Sequence, residues 1–181
     1  NNSAVFDVQK LDWLNGTYIR QKSIDELYEN CKPYFIKDGL IPENPDEATA
    51  AKVKKILLLE RERIKTYSQI TGFTDFFFKD DFIYEPDAEK CLLEPGVKEL
   101  FEKYAEFLKT VQPFDAKSVG DKTREFVKGL GLKLGVLAHP MRTALTGRTA
   151  SAGLFDIMEV LGKEKCVNRM QMAIQHKLSI K

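Results

Sequence analysis

The stretch HPMRTALTGRTASAGLF, residues 139–155, sets two arginines, Arg142 and Arg148, around a link of small residues bounded by Gly147 and Gly153. Guanidinium groups grip phosphates or pair with a base edge, and a surface of Gly, Ala, Ser and Thr admits a base closely. A helix that begins after the link adds backbone N–H donors and the positive end of its dipole. The combination suits contact with RNA, above all an unstacked loop, because an A-form duplex hides its major groove from side chains. The same residues also suit a plain helix–helix corner, in which Arg142 caps one C-terminus and Ser151 caps the next helix.

Other chemistries find little support. Cys31, Cys91 and Cys166 are odd in number, far apart and without C-x-x-C spacing, so neither a disulfide framework nor a zinc site is expected. His139 and His176 have no neighbouring cysteine or paired carboxylate at ligand spacing, and no metal centre is expected. Without G-x-S-x-G or a nucleophile–base pair there is no basis for an independent hydrolase, and no catalytic residue is assigned. No apolar run approaches the roughly 18 to 20 residues of a membrane span, and Asn1–Lys10 lacks a signal pattern. The expectation is a soluble, cytoplasmic globular protein without membrane contact.

The net charge of +1 conceals a division. Residues 1–121 hold 17 Lys and Arg against 23 Asp and Glu, a net −6, whereas residues 122–181 hold 11 against 4, a net +7. A basic C-terminal third is the footprint of a polyanion-binding face, since each neutralised phosphate releases condensed counterions. The alternative is that Lys163, Lys165, Lys177 and Lys181 merely solvate helix faces.

The elements that must position these residues read as helices. At 181 residues and 43% hydrophobic content the chain can bury one ordinary core or two small ones in series. Val53, Ile56, Leu57, Ile64 and Tyr67 recur at three- and four-residue steps, predicting a long helix that starts after NPDEAT, where Asp46 and Glu47 suit an N-terminal turn, and stops before Gly72. Glu60 falls inside its apolar stripe, so either it meets a cation or the helix bends. Pro33, Gly39, Pro42 and Pro45 predict a loop before that helix. A second helix has Pro95 at its first position and buries Val97, Leu100, Phe101, Tyr104, Phe107, Leu108 and Val111. Between them the aromatic run around Phe76, Phe77, Phe78, Phe82 and Tyr84 reads as core, because Asp75, Asp80 and Asp81 would repel phosphate.

Further on, a helix through Phe126 and Val127 breaks at Gly129 and Gly131, and Pro140 begins or kinks a helix ending at Gly147. Ser151 is the N-cap expected for a helix that buries Leu154, Phe155, Met158 and Leu161 and stops at Gly162. A final helix turns Val167, Met170 and Ile174 inward. The expected fold is all-α, a bundle of short antiparallel helices.

Four segments in order carry a resemblance to one family. FDVQKLDWLNGTYI, LLERERIKTYSQITGFTDFFF, LKLGVLAHPMRTALTG and SAGLFDIMEVLGKEKCVNRM resemble the C-terminal half of bacterial-type glutamyl-tRNA synthetases. The last two match that family's Pro-Leu-Arg-x-Ala-Leu-Thr-Gly motif and its Ser/Thr-Pro-Gly-Leu-Phe helix with Leu-Gly and a trailing arginine. Met141 replaces the usual leucine, and Ala152 stands where proline is usual, so the helix start lacks a fixed φ.

The resemblance implies a helical cage of two anticodon-binding subdomains, residues 31–117 and 118–181, after a stem-contact segment at 1–30. It places Arg142, Ser151, Gly153 and Leu154 around the anticodon bases, with Arg148 beside them. Arg63, or failing that Lys65, matches the basic position associated with the last anticodon base, and Arg124 is a further candidate. Lys10, Trp13 and Asn15 fall in the stem-contacting segment, where Trp13 is equally suited to a core. The implied function is recognition of the anticodon arm of tRNA(Glu), with tRNA(Gln) a second candidate, as part of a monomeric glutamate–tRNA ligase. ATP and magnesium would belong to a catalytic domain whose His-Ile-Gly-His-type and Lys-Met-Ser-Lys-Ser-type signatures are not in this sequence, so the chain is expected to be a fragment that needs no cofactor itself. The rival expectation is a helical protein-interaction module that binds no RNA.

Overall fold

The computed structural model describes residues 7–179, with side chains through residue 176, as two compact units, 1–78 and 79–181. Every regular element among the described residues is helical, as the periodicity predicts.

The N-terminal unit contains α1 (Val8–Gln21), α2 (Ile24–Lys37), α3 (Glu47–Glu60) and a short α4 (Ile70–Thr74) flanked by 3-10 turns at Tyr67–Gln69 and Asp75–Phe77. Each long helix starts on a side-chain cap: Asp7 accepts from the Lys10 N–H, Ser23 and Glu26 bond each other's backbone, and Asp46 accepts from the Thr49 N–H. Leu27, Cys31, Phe35, Val53, Leu57, Ile64 and Ile70 form the core. Burial pushes the Cys31 thiol up to about 12, so it packs as an inert apolar group.

Two expectations fail here. Pro33 lies inside α2 rather than in a loop; it is exposed, as is Glu29, whose carbonyl loses its helical donor on the solvent side. The long helix ends at Glu60, although nothing in residues 61–66 is a helix breaker. Side chains end it instead. The Arg63 N–H bonds back to the Glu60 carbonyl at 2.9 Å, and the Gln69 carboxamide takes the N–H groups of Lys65 and Thr66 at 2.7 and 3.3 Å. A continuing helix would have needed those donors itself.

The C-terminal unit begins with an irregular strap, residues 79–85. It continues through α5 (Pro86–Leu93), α6 (Val97–Thr110), α7 (Ala116–Gly129), α8 (Leu134–Thr146), α9 (Leu154–Leu161) and α10 (Lys163–Ser179). Helix α10 packs on α6 and α8, while α7 packs on α9. Phe101, Tyr104, Leu108, Val119, Leu137, Leu145, Met158, Cys166 and Met170 fill the interior. Helix α6 buries its expected face, with Phe107 only half covered, but it starts at Val97 after Gly96 in the left-handed region rather than at Pro95.

Along α10 the buried positions are Cys166, Arg169, Met170 and Ala173, whereas Val167 and Ile174 are half-buried. A charged residue in the stripe therefore shifted the expected face. The aromatic run is split: Phe76 and Phe77 are fully buried in the N-terminal unit, and Phe82 and Tyr84 belong to the strap. The compact units divide at 78/79. Residue 30 lies within α2 and residue 117 in the first turn of α7.

Candidate nucleic-acid interface

The link between α8 and α9 is held at three points. Gly147 ends α8 with φ +74°, its N–H bonding the Thr143 carbonyl at 2.7 Å. A Cβ there would lie 2.8 Å from the Ile83 carbonyl oxygen, so both backbone conformation and close approach require glycine. The Gly147 carbonyl accepts from the Glu85 N–H at 2.8 Å, tying the link to the strap, and Arg148 Nε stands 4.0 Å from Glu85.

The second hold is Thr146, which donates to the Arg142 carbonyl at 2.8 Å and accepts from the Arg148 N–H at 3.2 Å. The third is Arg142. Its Nη1 donates to Ser151 Oγ and, at 2.6 Å, to the Ala152 carbonyl. Arg142 and Ser151 are thus brought together, with the guanidinium bracing the link.

The helix start differs from expectation. Gly153, not Ser151, is the N-cap of α9. Asp156, in the first turn, folds back so that a Cβ on Gly153 would collide with its Oδ2. That carboxylate already complements the dipole, so the helix start is not an open anion site. Leu154 is only 7% exposed and anchors α9 in the core instead of offering a face to a base.

The aromatic face nearby belongs to Phe155, which is half-buried and carries the Arg124 guanidinium 5.3 Å from its ring centroid. Arg124 also pairs with Asp121 at 3.1 Å, and Gly120 makes room for both, since a Cβ there would sit 3.0 Å from Phe155. Phe155 was assigned to the core from its spacing. The signal that could have separated it is Gly120, one helical turn before Arg124.

Arg169 is a second residue that sequence reasoning did not place. It is 1% exposed, donates to the carbonyls of Leu145 and Lys79 and to Asp80, and lies 4.8 Å from the Phe82 ring. Burial pulls its pKa down, opposed by the Asp80 carboxylate, and an arginine remains charged there. Partial burial raises Asp80, but hydrogen bonds from Lys165 and Arg169 prevail and hold it below the usual carboxylate range. Arg169 therefore fastens the strap that in turn backs Gly147.

In the N-terminal unit Arg63 sits in the turn after α3, not on a helix. Its Nη1 meets the fully buried Glu60 carboxylate at 2.7 Å, and the guanidinium lies 4.6 Å from the Phe73 ring centroid. Of the two readings of Glu60 the first holds: it meets a cation, and the helix ends there rather than bending. Lys65 lies in the same turn, its stem against Gly16 of α1, where a Cβ would be 3.0 Å from Lys65 Cδ. Asn15 lines the same cleft as Lys65. Trp13 is 62% exposed and so is not core; it shares an exposed side of α1 with Lys10, away from Asn15. No group of three or more metal-ligating side chains occurs among the described residues, and no helix among them is long and apolar enough to cross a membrane.

The family model described as "Anticodon binding domain" matches residues 26–174. Glutamate–tRNA ligase 1 of Caldanaerobacter subterraneus subsp. tengcongensis is 43% identical over 96% of the chain, and glutamate–tRNA ligase of Moorella thermoacetica is 34% identical over 95%. The chain spans 36% and 35% of those two relatives, about a third of their length. Among solved structures, glutamate-tRNA synthetase from Elizabethkingia anophelis superposes with a TM-score of 0.78 at 25% identity, over 94% of this chain and 32% of that one. A glutamate tRNA ligase from Elizabethkingia meningosepticum, at 24% identity over 94% of this chain and 32% of that one, gives 0.82 and shares the fold.

Proposed function

The chain belongs to the anticodon-binding domain family, and from that premise we propose that it recognises the anticodon arm of tRNA(Glu) as the C-terminal part of a glutamate–tRNA ligase. The observation that carries this reading is the α8–α9 link, braced by Arg142 on Ser151 and Ala152 with the Arg124–Phe155 pair on neighbouring elements. A fixed small-residue surface lets a base approach the backbone. A cation over a half-exposed ring then offers a π-face and a phosphate contact together.

In this reading Arg142 acts twice, shaping the link and presenting a positive charge, while Arg148 adds a second cation at the link's first turn. Gly153 and the Ser151 hydroxyl supply the close-packed polar edge. ATP and magnesium chemistry falls to a separate catalytic domain, and no residue described here takes part in it. The intact enzyme would be a cytoplasmic monomer that charges tRNA(Glu).

Binding of an anticodon stem-loop of tRNA(Glu) at low salt, beside one with a scrambled anticodon, tests the proposal. Preference for the true loop, abolished by Arg142→Ala, is the expected result. Equal binding to both loops would reduce the link to a general RNA-contacting surface. No binding to either would favour a protein-docking role for the charged faces.

A further inference from the structure

We propose that the cleft between α1 and the Lys65–Tyr67 turn is a pocket for one unstacked nucleotide of the bound RNA, an inference that rests on the RNA-recognition reading above. Asn15, Tyr18, Tyr34, Lys65, Thr66 and Tyr67 line a cavity of about 270 Å³, with buried Ile19 supplying an apolar wall. The cavity lies wholly within the N-terminal unit and contains neither Arg63 nor any residue of the α8–α9 link.

Three phenol rings around one cleft are an unusual surface for a folded domain to leave half-exposed, and Tyr18 is 64% exposed. Among the described residues the Lys65 ammonium makes no ion pair or hydrogen bond. The Asn15 carboxamide and the three tyrosine hydroxyls likewise have no hydrogen-bond partner there. No carboxylate lines the cavity, so its one full charge is positive. A flat π-system suits the tyrosines, an anion suits Lys65, and a donor–acceptor edge suits the Asn15 amide. A nucleotide unites the three in one ligand.

The fold holds the pocket open by construction. Gly16 lets the Lys65 stem lie flat on α1, with the ammonium also against it, 3.4 Å from where a Gly16 Cβ would be. Gln69 fixes the turn by accepting both the Lys65 and Thr66 N–H groups, and the Thr66 and Ser68 hydroxyls bond each other at 3.0 Å. The turn that ended α3 early is therefore the wall of the cavity.

The test is binding of a full-length tRNA(Glu) transcript, with true and scrambled anticodons, to the chain and to Tyr18→Ala, Tyr18→Phe, Lys65→Gln and Arg142→Ala variants whose melting curves are recorded alongside. Tyr18→Ala should weaken binding about five- to a hundredfold for both anticodons, the range of a lost base–aromatic stack. Tyr18→Phe, which keeps the ring, should bind as the parent does. Lys65→Gln should weaken both transcripts and lower the slope of log K against log salt by about 0.7 to 1, the signature of one phosphate contact.

Parent-like binding by Tyr18→Ala or Lys65→Gln, while Arg142→Ala still loses anticodon preference, would overturn the pocket and leave the function standing. Loss in Tyr18→Phe equal to that in Tyr18→Ala would overturn the stacking role. Failure of the parent chain to bind either transcript would overturn the RNA reading and the pocket together.

Discussion

Each unit has an arginine close to the end of a helix, Arg63 in the turn after α3 and Arg142 in the last turns of α8, and the two hold different partners. Arg63 faces Glu60, a carboxylate with no exposed surface, so its charge is neutralised at 2.7 Å. Arg142 donates to a hydroxyl and a carbonyl. Arg63 thus holds a buried carboxylate whereas Arg142 braces a link, although the two residues look alike in sequence.

The largest effect should come from breaking the first pair. Arg63→Ala leaves Glu60 buried without its cation and should destabilise the protein by about 3 kcal/mol in denaturant unfolding, in line with other buried pairs that lose one partner. Arg63→Lys, which keeps charge but not the flat contact with Phe73, should recover part of that loss. Parent-like stability of Arg63→Ala would break the comparison, leaving both arginines as candidates for RNA contact.

The two turns also differ in how openly the sequence announces them. Gly147 marks the end of α8 because only glycine suits both its φ and its contact with the strap, and the expected end there is the observed one. The end of α3 carries no such mark. It depends on Glu60, Arg63 and Gln69 finding one another, and tertiary hydrogen bonds that outcompete a helix leave no periodic trace. For the same reason the role of Arg169, the motif's trailing arginine, is not legible: its partners are 24 to 90 residues away. The apolar faces of α3 and α6 were legible because spacing encodes them locally. The N-cap of α9 was not, since Ser151 is engaged by Arg142 instead.

Gly147→Ala should therefore be the next most damaging change. A left-handed φ and a 2.8 Å approach to a carbonyl oxygen together should cost about 2 kcal/mol, read as a lower urea midpoint at unchanged m-value. An alanine at Gly72, where no atom lies within 4 Å of the added Cβ and φ is not positive, is the matched control and should be nearly neutral. Equal effects at the two glycines would show that the link is not the rigid element described here.

Arg142→Ala sharpens the comparison from the other side. The loss of its hydrogen bonds to Ser151 and Ala152 should cost about 1 to 2 kcal/mol of stability, less than Arg63→Ala, because neither acceptor left behind carries a charge. Its effect on anticodon preference should exceed its effect on stability, and Arg63→Ala should show the reverse. A double variant whose stability loss equals the sum of the two singles would agree with their lying in separate compact units.

The smallest change tests whether the charge at the α9 start opposes RNA. Asp156 is exposed and lies over Gly153, so it stabilises the helix dipole while repelling any phosphate that approaches the link. Asp156→Asn preserves shape, should cost about 0.3 to 1 kcal/mol of stability, and should tighten stem-loop binding at low salt. The gain should fade as salt rises, because screening at 1 M acts over about 3 Å. Weaker binding by Asp156→Asn would instead make the carboxylate an acceptor for RNA, and the polarity assigned to the link would have to be reversed.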